Sequence, residues 1–349
     1  FQGRGLAEVL KIASKEVSGL VKDLVVLIKY KDIPVTVIKT DLETLKKYIS
    51  GSISYEAWAS QASFSLSTDK VHAKFEGQET VNSSFYKADI PVGVHLDYAL
   101  GDFYNAVKVD LNIAPEFKTV LGKGLTTSFE YHYEIENDLN KFNFNAPNIA
   151  RISQDIRLDG NKFFNFNLGY FSNQRFGIHM RYLSYLLEEK LSFSASFGLT
   201  QYAYLDENIE IMFSNFERFV YKAGLTYRHN PIDTDFSVEY GKFLDFDLGY
   251  KVGVQRQFNE VFIGFYFLKT NAGENLGFNF QVPIIGNKYL KPNRFRVRQA
   301  DAFSLLYRYT SFNGAGLEYS TGENFQANLK EFYPQVLKKS LKKILAQKS

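Results

Sequence analysis

The amino-acid sequence predicts an antiparallel transmembrane β-barrel of about 12–14 strands, preceded by a small α/β module. Three observations support this prediction: polar and apolar residues alternate over long segments, the connections between many segments are short, and aromatic residues are abundant. The chain has 33 Phe and 23 Tyr among 349 residues. Its 41 Lys and Arg nearly balance 38 Asp and Glu, so the composition does not indicate a nucleic-acid partner.

The segment KLSFSASFGLTQYAY, residues 190–204, shows the alternation most clearly. Phe193 and Phe197 fall on one parity, whereas Ser194 and Ser196 fall on the other, and a strand places the two parities on opposite faces. A soluble sandwich with its apolar face inward has a similar pattern. The apolar faces here are unusually aromatic, and a tilted strand of about ten residues matches the hydrocarbon layer of a membrane. We therefore predict that the apolar face meets lipid and the polar face lines a lumen.

Alternating segments recur from about residue 55 onward, and many exceed the usual length of a strand. The predicted strands span 62–67, 92–99, 106–113, 125–135, 150–158, 163–171, 175–186, 190–204, 219–229, 234–243, 246–258, 260–269, 275–284 and 302–312. The short connections predict a meander of antiparallel neighbours, and closure of such a meander removes its edges. Phe262 and Tyr266 flank Gly264 on the inward parity and are expected to cover the gaps that inward glycines leave. The barrel is therefore predicted over residues 55–320.

Residues 1–54 follow a different period and predict a water-soluble α/β module. Apolar residues recur three and four positions apart over residues 6–20, as in an amphipathic helix. Two short β-branched runs follow, and Thr40 or Asp41 then caps a second helix. This module carries no catalytic set, so we expect a docking or spacer role.

Residues 321–349 end in a predicted basic amphipathic helix. Its apolar stripe and its basic face include Leu337, Leu341, Ile344, Lys338, Lys339, Lys342 and Lys343. The helix could lie on anionic phospholipid, pack on a partner or on the α/β module, or simply end the chain in solvent. We expect it on the same side of the membrane as the module, because an even number of strands returns the chain to the side where it entered.

No catalytic residue, metal site or cofactor site is predicted. His132 lies between Glu130 and Glu134 on one face, but alternating polar residues are expected in any water-filled lumen. The polar residues predicted to line the lumen in the second half of the barrel are His179, Arg181, Lys222, Arg228, Glu239, Asp247, Lys251 and Gln255. Their mixed charges favour a salt-bridged lumen over a conducting or sugar-binding one.

Three short elements occur in a fixed order: Tyr170 with Arg175–Gly177, Gly241–Leu244 with Arg256–Phe258, and Phe280–Ile284. In order and spacing they resemble the YjbH/GfcD family of outer-membrane proteins, whose operons serve bacterial exopolysaccharide and capsule production. The resemblance is best over residues 150–320 and looser over 55–149. It implies that this chain corresponds to the later half of a typical member.

The resemblance implies a non-enzymatic role in exopolysaccharide or capsule assembly, secretion or surface retention. It places the barrel in the outer membrane and the module and C-terminus in the periplasm. The expected partners are outer-membrane lipids, polysaccharide, and a periplasmic or outer-membrane protein. Two alternatives remain open: a scaffold that docks another envelope machine through its α/β module, and an outer-membrane enzyme that acts on glycans or lipids.

Overall fold

The computed structural model describes residues 2–17, 21–75, 85–100, 107–139, 145–205, 211–214, 218–284, 294–310 and 315–346. Residue 106 of the predicted strand 106–113, residues 311–312 of the predicted strand 302–312, and residues 347–349 of the terminal helix lie outside these ranges.

The N-terminal unit is a three-stranded antiparallel sheet with four helices. In chain order it contains α1 (Gln2–Glu16), β1 (Asp23–Tyr30), β2 (Ile33–Asp41), α2 (Leu42–Ile49), α3 (Tyr55–Gln61), β3 (Ser63–Ser65) and α4 (Asp69–Phe75). Asp41 is the residue that caps α2, because its carboxylate accepts a hydrogen bond from the Thr44 amide at 2.7 Å. Since β3 pairs with β2, this unit extends past residue 54, where the sequence placed its end.

The second sheet is much larger and follows after residue 85. Its strands are β4 (Ala88–Leu100), β5 (Val107–Gly122), β6 (Leu125–Asn137), β7 (Ala146–Leu158), β8 (Lys162–Phe171), β9 (Arg175–Leu186), β10 (Leu191–Leu205), β11 (Ile211–Phe213), β12 (Arg218–His229), β13 (Thr234–Lys242), β14 (Leu248–Phe258), β15 (Val261–Thr270), β16 (Gly273–Pro283), β17 (Phe295–Gln299) and β18 (Ala302–Thr310). Two helices follow, α5 (Phe325–Lys330) and α6 (Pro334–Ala346).

The large sheet confirms the predicted antiparallel meander. Neighbouring strands pair in chain order from β4 to β16, except that β10 pairs with β12 and the short β11 lies beside β10. The strand predicted over 62–67 belongs to the small sheet instead, and β5 runs well past its predicted end. The short strands β11 and β17 were not predicted.

The edge strands of this sheet are β17 and β18, and β18 lies beside β4 where the two ends of the sheet approach each other. β17 pairs in parallel with β4, and the Ala300 amide donates to the Val92 carbonyl at 2.9 Å. The chain then crosses to pair with β16 as β18. The rings of Tyr98 and Tyr307 stack across the seam at 5.5 Å. No ladder of hydrogen bonds joins β4 to β18 in the described residues. The two strands lie side by side, but hydrogen bonds between described residues do not close the barrel wall at this seam.

The faces of the barrel wall are inverted relative to a soluble protein. Outward side chains such as Val252, which is 46% exposed, and Tyr240 present a broad apolar surface. Inward side chains such as Asn165 and Asn167 are polar and buried, Asn167 being 1% exposed. A wide apolar surface around a polar interior is the arrangement that lipid requires of a transmembrane barrel. Among the described helices, none combines the length and the apolar character needed to span a membrane.

The α/β module sits on one end of this barrel. The Gly124 amide, in the turn between β5 and β6, donates to the Lys31 carbonyl at 2.8 Å. Arg157, at the end of β7, donates to the Leu66 carbonyl at 2.7 Å. The module core contains Trp58, which is completely buried and stacks on Tyr48 with ring centroids 5.3 Å apart.

The chain returns to the module through the inside of the barrel. After β18 has ended at the far end, residues 315–333, here called the lumen segment, cross the interior, and α6 then packs against α1. The module and the terminal helix therefore lie at the same end. The predicted reason, an even number of strands, was wrong, however. Without β11 and β17 the described wall has thirteen strands, so β4 and β18 run parallel. The chain returns to the module end through the lumen.

Candidate functional site

The lumen segment is anchored at the end of the barrel away from the module. The Asp247 carboxylate accepts a hydrogen bond from the Gly316 amide at 2.8 Å. Ala315 packs in a small buried cluster with Phe243 and Leu268. Asp247 was predicted to line the lumen, and its role in the structure is to hold this end of the segment.

A second anchor brings together two of the predicted lumen residues. The Glu318 carboxylate lies 2.8 Å from Lys222 Nζ and 3.8 Å from Lys251 Nζ. These lysines belong to β12 and β14, and the carboxylate between them comes from the lumen segment. Because each side chain is largely shielded from water, these pairs are screened less than surface pairs.

Tyr319 occupies the next position along the segment. Its ring stacks on Phe171 with centroids 5.6 Å apart, and it meets His179, another predicted lumen residue, edge-on at 5.8 Å. Its phenol oxygen lies over Gly198, where a Cβ would overlap it. The absence of a side chain at this inward glycine therefore leaves room for the Tyr319 ring. Tyr266 covers a glycine in the same way, although the glycine is Gly277 rather than the expected Gly264.

A buried charge cluster lies where the lumen segment meets the module. The Glu323 carboxylate accepts hydrogen bonds from Lys31 Nζ at 2.7 Å, Arg151 Nη2 at 2.9 Å and Tyr30 Oη at 2.7 Å. Lys31 Nζ also binds Asp155 at 2.8 Å. Burial alone would raise the pKa of Glu323, but the charges of Lys31 and Arg151 outweigh burial and hold that pKa below its usual range.

The sequence predicted none of these five residues as a site. Lys31 lies in the turn between β1 and β2, and Glu323 lies in a polar stretch without periodicity. Their association joins three distant parts of the chain, which local patterns do not encode.

Further charges fix the segment at the module end. Lys330 forms an ion pair with Asp235, and Asp235 accepts from Arg228 Nη1 at 3.0 Å. Burial lowers the pKa of Lys330, although Asp235 opposes this shift. Arg228 and Lys339 both reach Asp233, at 3.3 and 2.6 Å. Arg228 was predicted to line the lumen, and the structure places it in this network.

The predicted helix residues of α6 mostly face the module rather than lipid. Leu337 and Leu341 are buried in the module core and Ile344 packs against it. Lys338 lies over the Phe64 ring at 5.1 Å, Lys342 pairs with Glu56 at 2.6 Å, and Lys343 is exposed beside a surface groove. Of the arrangements open at the sequence level, the structure has the one in which α6 packs on the module.

The lumen segment divides the barrel interior into two cavities, and Asn324 and Asn328 line both. The larger cavity, of about 480 Å³, lies between the segment and the later strands. The smaller cavity, of about 350 Å³, lies between the segment and the earlier strands. Glu239, Lys251 and Gln255 line the larger cavity, as predicted lumen residues should. Arg181 is half-buried on β9.

The walls of the larger cavity combine hydroxyls and amides with aromatic rings. Ser192, Ser194 and Thr226 contribute hydroxyls, and the amides come from Gln255, Asn279, Gln281, Asn324, Gln326 and Asn328. Phe262 and Tyr266 lie on the same wall. Such a surface can hydrogen-bond to a polar ligand and also support a flat apolar face of it.

The residues considered for a metal site form a pair rather than a ligand set. His132 Nε2 lies 3.0 Å from Glu130 Oε1, and the rings of His132 and His95 are 4.8 Å apart. In the described part of the chain, no group of three or more His, Asp or Glu is placed to hold a metal ion.

Comparisons with known proteins found a weak structural similarity and no matching family. No protein-family model matches the chain, and no curated protein matches it. Among solved structures it is similar to OmpTΔL8, a loop L8 deletion mutant of OmpT, an outer membrane protein of Vibrio cholerae. The identity is 7%, the match covers 56% of this chain and 85% of that chain, and the TM-score is 0.30. A TM-score this low carries no argument about fold or function.

The class of protein rests on the structure itself. The antiparallel wall, its exposed apolar outer face and its polar interior define an outer-membrane β-barrel with an α/β module.

The sequence-based prediction that the chain is not an enzyme requires correction and is withdrawn. It rested on missing motifs, and the similarity to OmpT gives it no support. The structure also contains a buried group of titratable side chains, Lys31, Asp155 and Glu323, that no motif signalled.

Proposed function

We propose that this protein acts in exopolysaccharide or capsule assembly, secretion or surface retention, and that its larger lumen cavity binds sugar units of the polymer. The observation that carries the proposal is the cavity wall, where amides and hydroxyls surround Phe262 and Tyr266. Sugar hydroxyls pair with amides, and the C–H faces of sugar rings pack on aromatic rings. The YjbH/GfcD-like sequence elements support the same assignment. In this proposal the module faces the periplasm.

The lumen segment favours binding and retention over free passage. It is held at the far end, in the middle and at the module end by Asp247, Glu318 and Glu323. A segment held at these points occupies part of the lumen and narrows the path along the barrel axis. A polymer held in the larger cavity would therefore contact the segment as well as the wall.

The aromatic wall provides a matched pair of variants. Tyr266→Ala removes an inward ring from the cavity, whereas Phe236→Ala removes an exposed, outward ring of β13 that does not belong to the described cavity lining. Because an aromatic contact contributes about 0.5–1.5 kcal/mol, Tyr266→Ala should weaken binding by roughly two- to tenfold. Isothermal titration of the detergent-solubilised protein with polymer fragments released from producing cells measures this change. Gln281→Ala tests an amide of the same wall in the same titration.

Phe236→Ala should leave the affinity within the error of the wild-type value. Equal affinities for the wild type, Tyr266→Ala and Gln281→Ala would contradict sugar binding in this cavity. Heat-modifiable electrophoretic mobility, which distinguishes folded from unfolded barrels, would show that each variant is folded.

A second candidate function, a scaffold for another envelope machine, is favoured by one surface of the module. Val9 and Ile12 on α1 are both exposed, Ile12 by 59%, and apolar side chains exposed together are typical of a protein interface. Ile12→Glu should reduce capture of a periplasmic partner in this case while leaving polymer binding unchanged. If Ile12→Glu lowers the polymer yield and Tyr266→Ala does not, the scaffold function is favoured.

A further inference from the structure

The smaller cavity differs from the larger one in its charge. Its lining includes five cations, Lys31, Lys87, Lys118, Arg151 and Arg296, and two carboxylates, Asp89 and Glu323. The lining of the larger cavity has the opposite balance, with three cations, Arg228, Lys251 and Lys330, and four carboxylates, Glu189, Asp235, Glu239 and Glu331. The lumen segment thus separates a cation-rich cavity from an acid-rich one.

Part of this positive charge is compensated by neighbouring carboxylates. Arg296 binds Asp89 at 2.7 Å, and Lys118 binds Glu116 at 2.6 Å. The Lys87 side chain, by contrast, takes part in no ion pair or hydrogen bond within the described ranges. Even with Glu116 and Asp155 counted, the cations of this wall outnumber the carboxylates.

The same wall holds buried polar atoms without partners. Ser128 Oγ and Arg151 Nε form no hydrogen bond in the described structure, and their residues are 4% and 6% exposed. Both residues line the smaller cavity, together with Thr126 and Thr127. Buried polar atoms are almost always paired. A guanidinium N–H can only donate, so the unpaired groups call for a ligand that accepts hydrogen bonds.

We propose that the smaller cavity binds an anionic group, a carboxylate or a phosphate ester, between Lys87, Ser128 and Arg151. Arginine and hydroxyl donors beside an uncompensated lysine suit the several acceptor oxygens of such a group. If the function proposed above is correct, the group is an acidic substituent of the polymer. The anion site itself depends only on this cavity.

The test uses the full chain in detergent, titrated with D-glucuronate, inorganic phosphate and, as the neutral control, D-glucose. We expect both anions to bind more tightly than glucose, and less tightly as the salt concentration rises. Lys87→Gln and Ser128→Ala should each weaken anion binding by roughly fivefold or more, as expected for loss of a hydrogen bond to a charged group. Ser304→Ala, which removes an exposed hydroxyl of β18 that lines neither of the two cavities, should leave anion binding unchanged.

Two competition experiments identify the natural source of the anion. Displacement of glucuronate by acidic polymer fragments supports the site with the polymer as its ligand, and displacement by phosphatidylglycerol micelles supports it with a lipid head group. Absence of anion binding, or binding that neither Lys87→Gln nor Ser128→Ala changes, would overturn the proposal. The Tyr266→Ala result would still stand in that case, because Tyr266 lines the other cavity.

Discussion

Replacing Glu323 by glutamine is expected to lower the free energy of unfolding by about 3–5 kcal/mol, because it removes the carboxylate that two buried cations share. Arg151 loses its ion pair, whereas Lys31 keeps its pair with Asp155. Lys31 and Arg151 bind this carboxylate at 2.7 and 2.9 Å, and all three side chains are nearly excluded from water. A glutamine side chain keeps the shape but not the charge. Denaturant unfolding in detergent micelles, followed by electrophoretic mobility, measures the change.

The Glu323 carboxylate also predicts a dependence of stability on pH. Its pKa is lower in the folded state than in the unfolded state, so the folded state binds the proton more weakly. The stabilisation is therefore complete above the ordinary glutamate pKa of about 4.3 and is lost as the pH falls below it. The variant Glu323→Gln should lack this component of the acid sensitivity.

The control for this prediction is an exposed pair in the same barrel. Lys269 and Glu274 lie 2.9 Å apart with both side chains about half exposed. Glu274→Gln should lower the free energy of unfolding by less than about 1 kcal/mol, as is usual for surface pairs. Equal losses from Glu274→Gln and Glu323→Gln would contradict a buried cluster at the junction of the module and the lumen segment.

Two neighbouring residues of β14 provide the second large effect. Val254 is exposed on the outward face, and Gln255 lines the larger cavity. Val254→Arg should lower the free energy of unfolding of the membrane-inserted barrel by about 2–4 kcal/mol, the cost of an arginine facing the middle of the bilayer. Gln255→Arg places the same side chain in the polar lumen and should be tolerated far better. Refolding into lipid vesicles at increasing denaturant concentration measures both variants.

The paired design separates a membrane barrel from a soluble sheet. In a soluble sheet the outward valine would meet water, and an arginine there would cost little. Greater damage from Gln255→Arg than from Val254→Arg would therefore contradict the lipid-facing surface.

The wall of the barrel was predictable because its strands carry a local signal. Alternation over ten or more residues fixes which side chains face inward, and Asn165 and Asn167 are buried on that parity while Val252 is exposed on the other. Trp58, which falls within the barrel predicted over residues 55–320, lies instead in the core of the module.

The content of the lumen was not predictable from such patterns. The contacts of Glu318 with Lys222 and of Glu323 with Lys31 join residues that are 96 and 292 positions apart. No period of two or of 3.6 residues encodes such pairs. The sequence did indicate the charged lumen residues and the apolar stripe of α6, but it left open which surfaces they contact.

The passage of the C-terminal segment through the barrel is tested most directly by a zero-length cross-link. A carbodiimide joins a lysine to a carboxylate in direct contact, and Lys222 Nζ lies 2.8 Å from the Glu318 carboxylate. We expect mass spectrometry of treated membranes to find the peptide of β12 joined to the peptide of the lumen segment. The exposed pair Lys269 and Glu274, at 2.9 Å, verifies the reaction in the same sample. A link between Lys269 and Glu274 without any link from Glu318 to Lys222 or from Glu323 to Lys31 would contradict a segment threaded through the lumen.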